Sequence, residues 1–206
     1  QPCTWLLEYT VESHMTVISC GDLVGTQTTE DRRHKTFRFE LNVPTAAPNI
    51  GFVAGQFYAW ISPGSTVTNC PIKNYFLAGL DKLLPPSCEF LNDCAEFYED
   101  FLTFKYPYSC YKQVFVDQAY EPCQSYTTMS ICDTNLLHSK HIIDQTFITR
   151  SVLADALAAQ YFGCFISMSS WSAAWLTRGI SRFIASQYRR KIFGNNEYRF
   201  DVQSTR

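Results

Sequence analysis

Apolar residues in the first 63 positions alternate with polar ones or cluster as β-formers, which is the pattern of strands that are half-buried in a sheet. Four segments show it: 4–11, 14–19, 35–43 and 51–59. They are separated by turn-forming residues at Gly21-Asp22, at 30–33 and at 44–48. We therefore predict that the first part of the chain forms antiparallel sheet.

Beyond Pro63 the spacing of apolar residues changes to that of helices. Ser87 is placed to cap a helix that ends at Tyr106-Pro107. Its apolar positions recur every three or four residues: Phe90, Leu91, Cys94, Phe97, Tyr98, Phe101 and Leu102. The apolar segment 111–116 then predicts a buried strand.

Two longer helices are predicted towards the C-terminal end. In 144–163, Asp144 is a candidate N-cap, the β-branched and alanine positions follow helical spacing, and Gly163 ends the segment. The second helix covers 170–193 and stops at Gly194. These elements place two packed helices in the last third of the chain.

This order of elements predicts an α+β fold in two parts. Residues 1–63 form the antiparallel β part, and residues 64–206 form a mixed α/β part. The composition supports a folded chain with a large core, because 46% of residues are hydrophobic, 16% are aromatic and only 17% are charged. No apolar run approaches the ~18 residues of a membrane span, so no membrane interaction is predicted. Because the chain begins at Gln1 rather than Met, we expect it to be a piece of a longer protein.

Charge is distributed unevenly along the chain. The formal net charge is −2, which gives no general attraction for nucleic acid. Residues 178–206 nevertheless hold seven Lys or Arg against two acidic residues. One end of the chain is therefore basic.

Nine cysteines are scattered through the chain without a C-x-x-C pair. An odd number without close spacing argues against a disulfide framework and against a structural zinc cluster. We predict buried thiols in a reducing, intracellular compartment.

A series of motifs in the second part carries a family resemblance. In order they are Tyr106-Pro107-Tyr108, QVFVD at 113–117, a Met-centred turn at 127–131, VLADALAAQYFG at 152–163 and WLTRG at 175–179. This order resembles the gluzincin aminopeptidases, in which a V-x-x-H-E-x-x-H-x-W-F-G helix supplies two His zinc ligands and the general-base Glu. A Glu in a W-L-N-E-G segment supplies the third ligand. The resemblance implies the end of an N-terminal β domain, followed by the first part of a thermolysin-like domain.

The residues that carry the chemistry in that family are replaced in this chain. Asp155 and Ala159 stand at the two His positions, and Ala156 stands at the position of the general base. Eighteen residues separate Ala159 from Arg178, which takes the place of the third ligand. Ser130 takes the place of the Glu that binds the substrate amine. The resemblance therefore implies a degenerate site with no catalytic residues, no metal, no cofactor and no small-molecule substrate.

Among inactive members of the family, the pattern is most similar to the aminopeptidase-like, TBP-associated subunits of the general transcription factor TFIID. The segments that carry this similarity are KTFRFELNVPTAAPNIGFVAGQF, YPYSCYKQVFVDQAY, TTMSICDTNLLHS, IIDQTFITR, QYFGCFIS and KIFGNNEYR. The similarity implies a nuclear scaffold that binds TBP, other TBP-associated factors and promoter DNA. Two alternatives remain open: a divergent intracellular zinc aminopeptidase, and an inactive homologue that serves as a binding module outside transcription.

Two further hypotheses concern charged residues. An ion pair between Asp155 and Arg178 would replace the metal as a link between the two helices, whereas the alternative places both at the solvent-exposed mouth of the cleft. The basic residues of the C-terminal end are candidates for contact with DNA phosphates or partners: Arg182, Arg189, Arg190, Lys191 and Arg199. Their alternative is a solvated helix end, where cations complement the helix dipole.

Overall fold

The computed structural model describes residues 1–63 and 70–204. In these residues the strands are β1 Cys3–Glu12, β2 Thr16–Ser19, β3 Asp22–Thr28, β4 His34–Thr45, β5 Phe52–Gly55, β6 Tyr58–Ile61, β7 Ile72–Phe76, β8 Tyr111–Val116, β9 Cys123–Tyr126 and β10 Met129–Asp133. The helices are α1 Leu84–Cys88, α2 Leu91–Leu102, α3 Ile143–Tyr161, α4 Ala174–Phe193 and α5 Asn195–Ser204. Strands dominate the first part and helices the second, as the sequence predicts for an α+β fold.

The strands form three sheets. A three-stranded antiparallel sheet has the order β1-β4-β3, and β2 pairs with β5 in a two-stranded sheet. The third sheet has the order β6-β7-β8-β10-β9 and is mixed, because β8 runs parallel to β7 and β10 while β6 and β9 run antiparallel to their neighbours. This places β9 at one edge of the five-stranded sheet.

The two faces of the five-stranded sheet bury different parts of the chain. One face packs with α1 to α4 around the main core, in which Phe115, Leu153 and Tyr188 are buried. The other face contributes Val114 and Met129 to a second apolar cluster, shared with residues of the first part of the chain. Alternate residues of a strand point to opposite faces, so β8 contributes to both cores.

A buried lysine joins the first part of the chain to the five-stranded sheet. The Nζ of Lys112 on β8 donates hydrogen bonds to the backbone carbonyls of Ser19, at 2.7 Å, and Gly21. The same ammonium lies 5.4 Å from the centre of the Phe39 ring on β4. Burial lowers the pKa of Lys112. The two carbonyl oxygens accept hydrogen bonds from the ammonium and so partly replace the water that burial removes.

The two longer helix predictions agree with the structure in position and differ at the ends, whereas the single helix predicted from Ser87 to Tyr106 is two helices, α1 and α2, the second of which ends at Leu102. The helix predicted for 144–163 is α3, in which Asp144 lies in the first turn and Ile142 is the N-cap residue. The helix predicted from 170 begins as a 3-10 turn and continues as α4 to Phe193, where Gly194 ends it with φ +90°. The predicted capping role of Ser87 is wrong, because this buried residue lies inside α1 and its hydroxyl bonds the backbone of His138.

The strand predictions missed pairing between distant segments. The single strand predicted for 51–59 is two strands, β5 and β6, which belong to different sheets. The segment predicted as a Met-centred turn contains a two-residue turn at Thr127 and Thr128, after which Met129 begins β10. The division of the chain at Pro63 stays a prediction: β6 lies before Pro63 and pairs with β7, which follows it. No helix in the described residues is long and apolar enough to cross a membrane.

Candidate functional site

A cleft of about 770 Å³ opens between α3, α4, β9 and the segment that precedes β5. On the β9 side it is lined by residues 121–126, and on the opposite side by residues of α3, α4 and the loop between them. In the part of the chain that the structure describes, β9 is the edge strand of the five-stranded sheet and pairs with β10 alone. Several of the sequence-predicted site residues line this cleft.

The structure brings four of the five degenerate positions together at this cleft. Asp155, Ala156 and Ala159 line it from α3, and Arg178 lines it from α4. Residues four apart on a helix share one face, so Asp155 and Ala159 point the same way. The shared cleft that the family resemblance implied for these positions is thus present in the structure.

Ser130, the fifth degenerate position, is buried below the wall of the cleft. Its hydroxyl lies 2.8 Å from the Tyr111 hydroxyl and 3.3 Å from the Ser125 hydroxyl. Ser125 lines the cleft and donates a hydrogen bond of 3.2 Å to the backbone carbonyl of Ala156. Ser130 thus supports β9 and α3 indirectly, through Ser125.

The predicted ion pair between Asp155 and Arg178 is absent. Among the described residues, no carboxylate oxygen of Asp155 lies within 4.0 Å of the Arg178 guanidinium. The Oδ1 atom of Asp155 is buried without a hydrogen-bond partner. Loss of hydration raises the pKa of Asp155, and the charges of Arg189, Arg182 and Arg178 oppose this effect. Asp155 is half-buried and Arg178 is exposed, so the alternative of a fully solvated pair also fails for Asp155.

The side chains at this cleft do not fit a zinc ion. Of the three ligand positions, only Asp155 offers an oxygen donor, since Ala159 has no donor and Arg178 carries a positive charge. No group of three His, Cys, Asp or Glu that could hold a metal occurs in the described part of the chain. Zinc is bound by three or four such donors, so these three positions do not form a zinc site as they stand.

Gln160 fixes the geometry of one cleft wall, a role that the sequence reasoning missed. It is fully buried, and its Nε2 donates to the carbonyl of Tyr126 at 2.9 Å. Its Oε1 accepts hydrogen bonds from the backbone N–H of Thr128 at 3.0 Å and from the Tyr106 hydroxyl at 3.5 Å. Gln160 therefore clamps the turn between β9 and β10 onto α3. The sequence feature that could have indicated this role is an amide side chain on the apolar face of a long helix.

The candidate basic residues are spread over α4 and α5. Arg182 lines the cleft and is exposed, and Arg199 is exposed on α5. The other three have neighbours within the chain: Arg189 lies 4.0 Å from Asp201, Arg190 bonds Asn195 at 2.5 Å, and Lys191 lies 5.0 Å from the Phe97 ring centre. Three consecutive helical residues point in directions about 100° apart, so the run is not a single charged face.

The aromatic pair at the start of α4 is exposed. Trp171 is 83% exposed and Trp175 is 74% exposed. Neither side chain belongs to the buried core. Trp171 also lines the cleft, so apolar surface borders the site on this side.

Comparison with known proteins gives three kinds of similarity. Residues 87–206 match the peptidase family M1 domain. The chain is 47% identical over 203 residues to transcription initiation factor TFIID subunit 2 of Drosophila melanogaster, and 51% identical over 197 residues to the protein of that name in Danio rerio. These matches cover 98% and 96% of the chain but only 16% of each relative, so the chain spans about a sixth of their length.

The similarity in structure extends to solved enzymes. The crystal structure of the M1 zinc metallopeptidase from Deinococcus radiodurans superimposes with a TM-score of 0.76 at 17% sequence identity. The match covers 94% of this chain and 42% of that enzyme. At this identity the comparison establishes the fold, and it agrees with the thermolysin-like architecture expected from the sequence.

Proposed function

The chain belongs to peptidase family M1, and from this premise we propose that it acts as a non-catalytic scaffold subunit of TFIID. In this proposal it contributes to core-promoter binding and to assembly of the RNA polymerase II pre-initiation complex in the nucleus. The observation that carries the proposal is the close match, over almost the whole chain, to proteins named TFIID subunit 2. Its partners are TBP and the other TBP-associated factors.

The chemistry of the cleft supports a non-catalytic role. Metal-dependent peptide hydrolysis needs ligands for the ion and a base that deprotonates the attacking water. Ala156 and Ala159 supply neither, and the Arg178 guanidinium repels a cation. A divergent zinc aminopeptidase would therefore need its general base, and every zinc ligand except Asp155, from elsewhere.

Apolar surface beside the cleft supports binding to protein. Trp171 and Trp175 expose most of their surface to solvent, and Leu176, which follows Trp175, is 46% exposed. Large aromatic residues are enriched in the buried centres of protein interfaces, where their apolar area is removed from water. We expect a partner protein to cover this surface in the assembled complex.

The scaffold proposal is tested by purifying the full-length protein from nuclear extract through an affinity tag. We expect mass spectrometry to find TBP and TBP-associated factors, and elemental analysis to find less than stoichiometric zinc. Bound zinc with aminopeptidase activity would contradict the non-catalytic role. Recovery without any transcription factor would contradict the TFIID role and leave the third alternative, a binding module outside transcription.

We propose further that Arg182 and Arg199 contribute to contact with promoter DNA in the assembled complex. Both are exposed, and Lys and Arg bind phosphates with an affinity that falls as salt concentration rises. Arg189, Arg190 and Lys191 stay candidates, although their neighbours within the chain leave them less free to reach a phosphate.

Replacing Arg182 and Arg199 by Ala is expected to weaken promoter binding by the complex and to reduce its salt dependence. The slope of log K against log salt concentration is negative, and each lost phosphate contact reduces its magnitude by about 0.9, so two lost contacts reduce the magnitude by about 2. The matched control replaces the exposed residues Lys105 and Lys140, which lie outside the basic end. An unchanged slope in the arginine variant, or an equal change in the lysine variant, would contradict the DNA role.

A further inference from the structure

Two cysteines face each other across the edge of the five-stranded sheet. Cys123 on β9 and Cys132 on β10 are direct partners in the antiparallel ladder. Their Sγ atoms lie 2.9 Å apart, and both residues are free thiols. A disulfide needs about 2.05 Å, so the two sulfur atoms have less than about 1 Å to close.

The strand pairing favours a bond at this position. Antiparallel strands alternate between pairs that exchange backbone hydrogen bonds and pairs that do not. The adjacent pair, Pro122 and Asp133, is a hydrogen-bonded one, because the Asp133 N–H donates to the Pro122 carbonyl at 2.9 Å. Cys123 and Cys132 therefore form a non-hydrogen-bonded pair, with a Cα separation of about 4.5 Å. Disulfides accept separations of about 4.4–6.8 Å, so the bond requires little movement of the backbone.

The two thiols differ in their access to solvent. Cys123 is half-buried and lines the cleft, whereas Cys132 is fully buried. Burial, together with the adjacent Cys123 thiol, raises the pKa of Cys132 well above its usual value. A small oxidant entering the cleft therefore meets Cys123 first, and Cys132 is held in place as the second thiol.

We propose that Cys123 and Cys132 form a reversible redox modification site whose oxidant is a hydroperoxide such as hydrogen peroxide. The Cys123 thiolate attacks the peroxide, which breaks the O–O bond, forms a sulfenic acid and releases hydroxide. The Cys132 thiol then displaces the sulfenic oxygen as water, and its proton leaves with that water. Two sulfur atoms are oxidised, one peroxide is reduced, and a thiol reductant reverses the reaction.

The bond would act on the wall of the cleft. β9 is an edge strand whose residues 123–126 line the cleft, and β10 is its neighbour in the sheet. A covalent link between them prevents β9 from separating from the sheet at this end. The opposite end of β9 is already held by Gln160. Oxidation would therefore fix the shape of one side of the cleft.

The sequence provides a direct readout of the bond. Trypsin cleaves after Lys112 and Lys140, and the peptide 113–140 contains Cys123 and Cys132 and no other cysteine. The full-length protein is treated with hydrogen peroxide, denatured, alkylated with iodoacetamide and digested without reduction. We expect this peptide to carry no alkyl group and to weigh two hydrogen atoms less than the unalkylated dithiol peptide. After treatment with dithiothreitol, both cysteines should be alkylated again.

Variants separate this pair from general thiol oxidation. Cys164→Ser changes another cysteine of the cleft and is expected to leave the result unchanged. Cys132→Ser removes the second thiol and is expected to leave a sulfenic acid on Cys123 that dimedone captures. Exposed Cys3 reports the oxidant dose. If the unaltered protein keeps both alkylation sites at a dose that oxidises Cys3, the proposal is overturned, whether or not Cys132→Ser folds.

Discussion

Replacing Asp155 and Ala159 by His, and Arg178 by Glu, is expected to produce a protein that retains one zinc ion per chain. The three positions line one cleft, with two of them four residues apart on the same face of α3. Two imidazoles and a carboxylate give three donors of the kind that zinc binds, and removal of the guanidinium removes a repulsive charge. We expect a dissociation constant at or below about 1 μM, which corresponds to about −8 kcal/mol of binding free energy.

The zinc experiment is read by equilibrium dialysis followed by elemental analysis, with circular dichroism to establish that the variant is folded. The matched control carries Asp155→His and Ala159→His but keeps Arg178. It is expected to bind zinc at least about tenfold more weakly, because it has two donors and a cation at the third position. A folded triple variant that retains no zinc would show that these positions do not converge as a ligand set.

Gln160→Leu is expected to lower the free energy of unfolding by about 2–4 kcal/mol. The substitution leaves the backbone N–H of Thr128 and the carbonyl of Tyr126 without the partner that they have in the structure. Each buried polar group left without a partner costs about 1–3 kcal/mol. Chemical denaturation followed by circular dichroism would measure the loss as a lower midpoint concentration.

Two further substitutions define the origin of that loss. Gln124→Leu makes the same chemical change at an exposed position of β9 and is expected to alter stability by less than about 0.5 kcal/mol. Gln160→Glu keeps an acceptor for the Thr128 N–H but loses the donor to the Tyr126 carbonyl. Its loss in free energy of unfolding should therefore also include the cost of burying a charged carboxylate. Equal effects of Gln160→Leu and Gln124→Leu would mean that the clamp contributes nothing to stability.

Local patterns predicted the elements whose determinants lie within a single segment. The buried strand at 111–116 has the bounds of β8, and the helices predicted for 144–163 and 170–193 are α3 and α4 with small changes at their ends. Helical spacing and a terminal glycine such as Gly194 are properties of one stretch of chain. The family resemblance, and not spacing within one segment, implied that Asp155 and Arg178 share a cleft, and both line it.

The remaining features depend on contacts between distant segments. β6 is recognisable only through its pairing with β7, and the residues 51–59 contain no signal that divides them between two sheets. The ion pair predicted between Asp155 and Arg178 failed because the separation of two helices is set by their packing, which spacing within a sequence does not give. The role of Gln160 was missed because its partners come from a turn more than 30 residues earlier in the chain.

The buried ammonium of Lys112 makes the first strands indispensable to the rest of the molecule. Both of its carbonyl acceptors belong to residues before position 22. Alternative splicing or proteolysis that removed those residues would leave the Lys112 ammonium beside the core without its two hydrogen-bond acceptors. A buried charge without partners costs several kcal/mol of stability unless the lysine loses its proton. A shorter protein that begins after position 22 is therefore expected to be less stable than one that keeps the first two strands.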